Sequence, residues 1–401
     1  MNQTRMQRLQ SQRKKKRNTW KLVAFRTLLF SILAVTASGV YLLINEFTRD
    51  FSSSPQQPSG QPNEEVPPQP EPRINLTFLG DVMVSGNVEK TLLEKGFDYP
   101  YSYVRQMLHA DDYTIANLET PVTSRGTPHA DKAFVYKSPP EALPAMKEAG
   151  IDAVNLANNH SMDQGVEGLL DTFSALEANQ IQYVGAGRDM DQAYAPVYVE
   201  KNGIRLAVLG FSRVIPEVSW YAGKNKPGVA ATYDPARAVQ AIREADANAD
   251  VVVVIAHWGE ERKDFPVEHQ KTLAKAYLEA GADLIVGGHP HVVQGLENID
   301  GKWVVYSLGN FVFTRSTEPK TWESMVVTAS CTKAGDCDLR VLPFYTELAR
   351  PVPMQEAEGA ALLKRIESIS ANATILPDGT VQKSSALRTN EENNPLPPDT
   401  D

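Results

Sequence analysis

Residues 251–256, which read VVVVIA, constrain the fold of this chain more than any other segment. A short, entirely apolar and mostly β-branched run indicates a strand that is covered on both faces. Similar runs alternate with amphipathic segments from residue 74 to about residue 344. This alternation predicts an α/β fold, in which helices cover the faces of the sheets.

The pattern predicts ten strands and four helices. Strands are expected at 74–80, 113–117, 153–157, 181–184, 204–210, 251–256, 284–287, 304–308, 325–330 and 339–344. Helices are expected at 140–149, 166–179, 235–247 and 267–280, and proline opens the first and third of them.

Polar side chains that can bind a metal stand where the apolar strands end. They are Asp81, Asn117, Glu119, Asn159, His160, His257, His289 and His291. In α/β sheets the ligand crevice lies at the carboxyl ends of the strands, so these segments can converge on one site. Alone, each residue is more simply a helix cap, a turn residue or a satisfied polar group. Together they indicate a site, since four of the seven histidines fall at strand ends.

The spacing and chemistry of these residues favour a transition metal. His289 and His291 are two residues apart, which in extended backbone places both imidazoles on one side. Asn159 and His160 are adjacent, and their side chains are expected to point apart. One can then bind the metal while the other has a separate role. Carboxylate and imidazole together suit Mn, Fe or Zn, so one or two divalent ions of this kind are expected.

Ordered motifs in residues 74 to about 315 resemble those of calcineurin-like metallophosphoesterases: Gly80-Asp81, Asn158-Asn159-His160, His257 and Gly288-His289-Pro290-His291. Within that superfamily, GDVM, NLETPVT, NLANNHSMDQG, AHWGEE, GGHPHVVQG and YSLGNFVF are similar to the CapA/PgsA branch. The resemblance implies a four-layer α-β-β-α sandwich of metallo-dependent phosphatase type. It also implies a part in poly-γ-glutamate capsule synthesis and export.

The same resemblance implies two sets of metal ligands. Asp81 and His291 are expected to hold one ion. The second ion is expected on Asn159, His257 and His289.

Three further site residues receive roles from the resemblance. Glu119 is the candidate for the carboxylate that bridges the two ions. His160 resembles the family's outer histidine, a catalytic residue that protonates the leaving group or stabilises developing charge. Asn117 is expected to contact the substrate or to support the ligands.

Two departures from the superfamily pattern bear on metal binding. The superfamily begins with Asp-x-His, whereas Met83 stands two residues after Asp81. The Gly-Asp-x-x-Asp element is also absent, and Glu119 is its substitute. One metal site is therefore short of a ligand, which leaves open whether two ions, one ion or none is held.

The N-terminal region predicts a membrane anchor. Nine basic residues precede the first acid, Glu46, and residues 27–44 are 18 uncharged, mostly apolar residues. A helix of that length spans about 27 Å, enough for the hydrocarbon core. The basic flank is expected to stay in the cytoplasm and the rest of the chain to lie outside the cell, at the cell membrane. A cleaved signal peptide that ends near TASG is the alternative.

These features divide the chain into six parts. A basic cytoplasmic segment at 1–26 precedes a single transmembrane helix at 27–45 and a Pro/Ser/Gln-rich linker at 46–73. The CapA-like domain is expected at 74–350. A helical or extended C-terminal extension at 351–381 and a disordered tail at 382–401 follow it.

Charge limits the partners that the outer part can bind. Without the nine N-terminal basic residues, 31 of the 40 Lys and Arg remain against 49 Asp and Glu. This acidic balance argues against a nucleic-acid partner. The expected partners are membrane polymer synthase subunits, poly-γ-glutamate or a related anionic polymer, and the membrane itself through the N-terminal helix.

The two cysteines, Asp163 and several basic residues can each be interpreted from their position in the sequence. Cys331 and Cys337 flank a short turn and are expected to form a disulfide outside the cytoplasm, with a free pair as the alternative. Asp163 is interpreted as a cap of the helix that follows it. The candidates for contact with an anionic ligand are Arg125, Lys132, Lys137 and Arg213.

Two functions remain open at this stage. The first is a metal-dependent hydrolase that acts on a phosphoester or another bond of an extracellular polymer or its carrier. The second is a non-catalytic accessory subunit that guides or anchors nascent polymer at a membrane synthase.

Overall fold

The structure is a computed structural model that describes residues 71–384. Its strands, in chain order, are β1 Arg73–Val82, β2 Tyr113–Leu118, β3 Ala153–Asn155, β4 Gln182–Val184, β5 Ala186–Gly187, β6 Val197–Lys201, β7 Ile204–Ser212, β8 Gly228–Val229, β9 Val251–His257, β10 Leu284–Gly288, β11 Leu296–Ile299, β12 Lys302–Val305, β13 Asn310–Val312, β14 Glu323–Thr332, β15 Cys337–Glu347, β16 Arg350–Pro353, β17 Ala373–Ile375 and β18 Val381–Lys383.

The helices of the same range connect or flank these strands. They are α1 Asn87–Lys95, α2 Arg105–Leu108, α3 Ala142–Glu148, α4 Gly165–Ala178, α5 Met190–Tyr194, α6 Ala236–Asp246, α7 Glu268–Glu279 and α8 Glu356–Ser368. Short 3₁₀ turns occur at Tyr99–Tyr101, Val218–Trp220 and Pro319–Trp322.

The larger sheet has eight strands. Their order is β16-β15-β14-β1-β2-β3-β4, and β13 pairs with the end of β1. Strands β1 to β4 and β13 are parallel, whereas β14, β15 and β16 continue the sheet in antiparallel fashion. The carboxyl ends of β1, β2 and β3 therefore lie along one edge.

The second sheet has six strands in the order β11-β12-β10-β9-β7-β6. Its four inner strands, β7, β9, β10 and β12, are parallel, and the two edge strands are antiparallel. Here too the carboxyl ends of the inner strands share one edge.

Alternate residues of β9 show how the layers stack. Val251 and Val253 lie in a core that contains residues of both sheets. Val252 and Val254 lie in a second core with apolar residues of α6 and α7. A third core joins the larger sheet to α1, α3 and α4. The strand is thus covered on both faces, as its sequence predicts, and the mixed α/β class is confirmed.

The predicted elements match the observed ones in position. Each of the ten predicted strands and four predicted helices overlaps an observed element. The strand expected at 153–157 ends early, at Asn155, whose side-chain Oδ1 accepts a hydrogen bond from the Ala157 N–H at 3.1 Å. This local turn draws the backbone away from the sheet.

The segment after residue 350 packs into the domain. Leu362, Leu363 and Ile366 of α8 belong to the core that contains both sheets. Cys331 and Cys337 are joined by a disulfide across the β14–β15 turn. Within residues 71–384 no helix is both long and apolar enough to cross a membrane. The predicted anchor at 27–45 lies outside the described residues, as do most of its linker and most of the tail.

Candidate metal centre

Strand ends from both sheets deliver the predicted site residues to one place. Asp81 lies in β1 and pairs in register with Asn117 of β2, which Glu119 follows. His257 is the last residue of β9, and His289 comes directly after β10. The loop after β3 supplies Asn159 and His160, and the loop after β10 supplies His291. All eight predicted residues therefore meet at the edge where the parallel strands end.

Asp81 and His291 form one half of the cluster. His291 Nδ1 lies 3.2 Å from Asp81 Oδ2. Asn117 Nδ2 donates to the other carboxylate oxygen, Oδ1, at 2.7 Å. Asn155 and Asn158 donate to Asn117 Oδ1 at 3.0 and 3.3 Å, which fixes the orientation of that amide. Asn117 therefore holds the Asp81 carboxylate in place through its Oδ1 atom.

His257, Asn159 and His289 form the other half. His257 Nε2 lies 2.8 Å from Asn159 Oδ1, and the rings of His257 and His289 are 4.8 Å apart between centroids. Glu119 lies between the halves, with Oε1 3.6 Å from His257 Nε2 and 3.8 Å from His291 Nε2. Ligand atoms of Glu119, His289 and His291 lie within 4.8 Å of one another.

Several buried polar atoms of this cluster make no hydrogen bond to other residues in the described part of the chain. They are Asp81 Oδ2, both carboxylate oxygens of Glu119, and His289 Nδ1. Leaving such atoms without a partner costs free energy, which a bound cation would recover. The donors, carboxylate oxygen and imidazole nitrogen, are those of Mn, Fe and Zn sites. The residues present therefore fit a transition metal.

The protonation states reflect this crowding. Burial, and then repulsion from Asp81, holds the pKa of Glu119 well above its ordinary range. Burial and neighbouring imidazoles hold the pKa of His257 and of His289 well below the ordinary range. Burial also lowers the pKa of His291, but Glu119 and Asp81 outweigh it and raise the value to about 10. The cluster is thus tightly coupled by charge.

His160 belongs to a separate, internally satisfied group at the edge of the cluster. Its Nδ1 lies 2.7 Å from Asp163 Oδ2. Lys132 Nζ donates to Asp163 Oδ1 and to the Asn159 carbonyl oxygen, both at 2.6 Å. The Tyr136 N–H also donates to Asp163, at 2.8 Å. Burial lowers the pKa of His160 despite Asp163.

Two interpretations of local pattern are wrong. Asp163 is not a helix cap, because α4 begins at Gly165, its N-cap is Gln164, and the Asp163 carboxylate binds His160, Lys132 and Tyr136 instead. His289 and His291 do not lie in extended backbone, since their φ angles are 97° and 57°. Both rings reach the cluster because a left-handed turn, which is unfavourable for residues with a side chain, follows β10.

Sequence reasoning missed Asn310 and gave Lys132 only a general role as a contact for anions. Asn310 Oδ1 lies 2.9 Å from His291 Nδ1. The sequence could have indicated Asn310, because this residue lies in the motif YSLGNFVF, which is part of the family resemblance. Met83, at the position of the superfamily histidine, is buried in the core, and its N–H donates to the Val312 carbonyl oxygen. Its thioether is a poor ligand for a hard metal.

Comparison with known proteins places the chain among bacterial capsule proteins. The family model described as bacterial capsule synthesis protein PGA_cap matches residues 75–315. The PGA biosynthesis protein CapA of Bacillus subtilis is 37% identical over 285 residues, which cover 71% of this chain and 74% of the relative. The capsule biosynthesis protein CapA of Bacillus anthracis is 36% identical over 292 residues, 71% of this chain and 70% of that one.

A solved structure, the sulfate thiohydrolase SoxB of Thermus thermophilus, is a more distant neighbour. The alignment has 15% sequence identity and a TM-score of 0.42, and it covers 76% of this chain and 61% of SoxB.

The fold and the cluster define an α/β protein with a candidate metal centre at the carboxyl ends of two sheets. The chain belongs to the PGA_cap family of bacterial capsule synthesis proteins.

Proposed function

We propose that the chain is a membrane-anchored, extracellular protein of the CapA/PgsA type that takes part in poly-γ-glutamate capsule synthesis or export through a metal-dependent hydrolase-type site. The names of its Bacillus relatives support the capsule role. The α-β-β-α order of layers and the ordered motifs support a calcineurin-like phosphatase domain.

The observation that carries the proposed site is the set of buried ligand atoms on Asp81, Glu119 and His289 that make no hydrogen bond within the range that the structure describes. Hydrogen bonds satisfy nearly all buried polar groups in proteins, so a cluster of exceptions calls for a ligand. Asp81 and His291 would hold one ion, and the other would be held by Asn159, His257 and His289. Glu119 would contact both.

When bound, the metal would supply Lewis-acid activation of water and of a phosphoryl or carbonyl oxygen. The protein's own contribution to the chemistry comes from His160, at the edge of the cluster. His160, oriented by Asp163 through Nδ1, would present Nε2 to a leaving group and exchange a proton with it. Lys132 holds Asp163 and the backbone of Asn159 in place, so one side chain supports both a ligand and the acid-base residue.

Met83 favours a second candidate function, a non-catalytic accessory subunit. A methionine in place of a histidine removes one ligand from the first ion, and weaker metal binding suits a protein that guides or anchors polymer. The partners would then be the membrane synthase subunits and the nascent anionic polymer.

The two functions separate in one experiment. The full-length chain, purified in mild detergent and supplied with Mn or Zn, is assayed on an aryl phosphodiester beside its His257→Ala and His289→Ala variants. Turnover that both variants abolish supports the hydrolase. No turnover by a metal-loaded wild-type protein, together with normal capsule in cells that carry either variant, supports the accessory role.

The anchor needs its own test. Cells that express the chain without residues 1–45 are expected to release the protein and to lose surface polymer, because the domain no longer stays beside the synthase. Surface polymer at the normal level after this deletion would contradict the anchoring role.

A further inference from the structure

Asn310 occupies a constrained position beside the cluster. It is the first residue of β13, pairs in parallel register with Asp81, and is 1% exposed. Its carbonyl oxygen accepts a hydrogen bond from Thr346 Oγ1 at 2.6 Å, which fixes the backbone from the other side. The side chain therefore projects from a fixed point next to a proposed metal ligand.

The orientation of the Asn310 amide follows from its neighbours. Nδ2 lies 3.0 Å from the Thr321 carbonyl oxygen and 3.5 Å from the His291 carbonyl oxygen. Carbonyl oxygens only accept, so the amide nitrogen must face them. The amide oxygen therefore faces His291 Nδ1, at 2.9 Å.

An acceptor opposite Nδ1 selects one form of the His291 ring. Nδ1 must carry the proton, and in the neutral ring the lone pair is then on Nε2. Nε2 is the nitrogen that faces Glu119, at 3.8 Å from Oε1. In the neutral ring, which is the form that can bind a cation, this lone pair is therefore directed into the cluster.

Asn310 also affects Asp81. Asp81 Oδ2 lies 3.2 Å from the same His291 Nδ1, and Asn117 already donates to Oδ1. If Asn310 were removed, Oδ2 would become the acceptor for the Nδ1 proton. With Asn310 present, the Nδ1–H has a nearer acceptor at 2.9 Å, so Oδ2 shares less of its charge with that proton and more with a cation.

We infer that Asn310 is a positioning residue of the metal centre: it holds His291 as the Nδ1–H form, presents Nε2 to the ion, and keeps Asp81 Oδ2 available. The inference rests on the proposed metal site. It assigns a role to a residue outside the predicted ligand set, and outer partners of metal-bound histidines act in this way in general.

The test compares zinc binding by the full-length chain and two variants, measured by competition with a chromogenic chelator. Asn310→Ala removes the acceptor and is expected to weaken zinc binding by about 10–100-fold, the usual effect of losing such a partner. Asn310→Asp keeps an acceptor opposite Nδ1 but places its other oxygen against the Thr321 and His291 carbonyl oxygens, so its thermal stability should fall while its zinc affinity falls less than that of Asn310→Ala. A merely structural role would make zinc affinity fall in parallel with thermal stability in both variants.

Nitrogen-15 spectra of the zinc-loaded wild-type protein give a readout that does not depend on how the variants fold. The His291 signals are expected to show a protonated Nδ1 and a zinc-bound Nε2. Asn298→Ala is the matched control, since Asn298 is a buried amide of β11 whose Oδ1 accepts from the Gly301 N–H. It should bind zinc as the wild type does.

The outcomes distinguish this inference from the proposed site. Zinc bound through Nδ1, or unchanged affinity in a folded Asn310→Ala variant, would overturn the role of Asn310 and leave the metal site intact. Failure of the wild-type protein to take up zinc would overturn the metal site, and the inference with it.

Discussion

The candidate metal centre and the His160 group lie side by side, yet they satisfy their polar atoms in opposite ways. Asp163 is fully buried and accepts hydrogen bonds from Lys132, Tyr136 and His160. Glu119 is equally buried, but neither of its oxygens has a hydrogen bond within residues 71–384. Hydrogen bonds from the protein satisfy the Asp163 carboxylate, whereas the Glu119 carboxylate has none and can bind a ligand. The Asp163 carboxylate should therefore stabilise the fold, whereas the Glu119 carboxylate should destabilise it until a cation binds.

The largest effect is expected from breaking the satisfied group. Asp163→Ala leaves Lys132 buried without its ionic partner and should lower the free energy of unfolding by about 3–5 kcal/mol. Urea denaturation measures this. Asp171→Ala is the control, because Asp171 pairs at the surface with the exposed Arg125, and its loss should cost much less than that of Asp163. Equal losses in the two variants would contradict the contrast.

A bound cation should give the next largest effect. Zinc at 100 times its dissociation constant should stabilise the protein by about 2.7 kcal/mol, because it binds only the folded state. Calorimetry with and without zinc measures this shift. His257→Ala should remove the shift, whereas the Asp171→Ala control should retain it. A zinc shift of the same size in His257→Ala would show that the cluster is not the binding site.

Neutralising Glu119 should raise the free energy of unfolding, whereas Asp163→Ala should lower it. Burial and the charge of Asp81 oppose ionisation of Glu119 more strongly than His291 favours it, so Glu119→Gln should raise the stability of the metal-free protein, by at most about 2 kcal/mol. Chemical denaturation in the presence of a chelator tests this. The same substitution should remove the stabilisation by zinc. A loss of stability would mean that Glu119 is satisfied in the folded state.

The smallest effect is a dependence on pH. His257 and His289 have pKa values below 6.5 in the folded state, so the unfolded chain binds more protons once the pH falls below 6.5. Stability of the metal-free protein should therefore fall from pH 6.5 toward pH 5, by about 1.4 kcal/mol per pH unit for each net proton. His291, whose pKa is raised to about 10, and Glu119, whose pKa is also raised, already hold protons in the folded state; they reduce the net number near pH 6.5, so the fall in stability is steepest toward pH 5. Denaturation curves across this range test the slope, and a rise in stability would contradict it.

The layered fold and the gathering of ligands could be predicted because both depend on local pattern. The alternation in residues 251–256 sets two covered faces, and parallel strands bring their carboxyl ends together. The contacts of Asp163 could not be predicted in this way, since Lys132 arrives from a loop 31 residues away. Asn310 likewise acts across 19 residues, through a strand of three residues. The left-handed turn at His289 and His291 has no signal in residue spacing.

The double-sided burial of β9 separates two kinds of tolerance to change. Val252 and Val254 lie in the helix-side core, so a change of side-chain volume there acts mainly against α6 and α7. Val251 and Val253 set the spacing of the two sheets, and that spacing fixes the gap between His257 on one sheet and Asp81 on the other. A substitution at an even-numbered position of β9 should therefore disturb the candidate metal ligands less than one at an odd-numbered position.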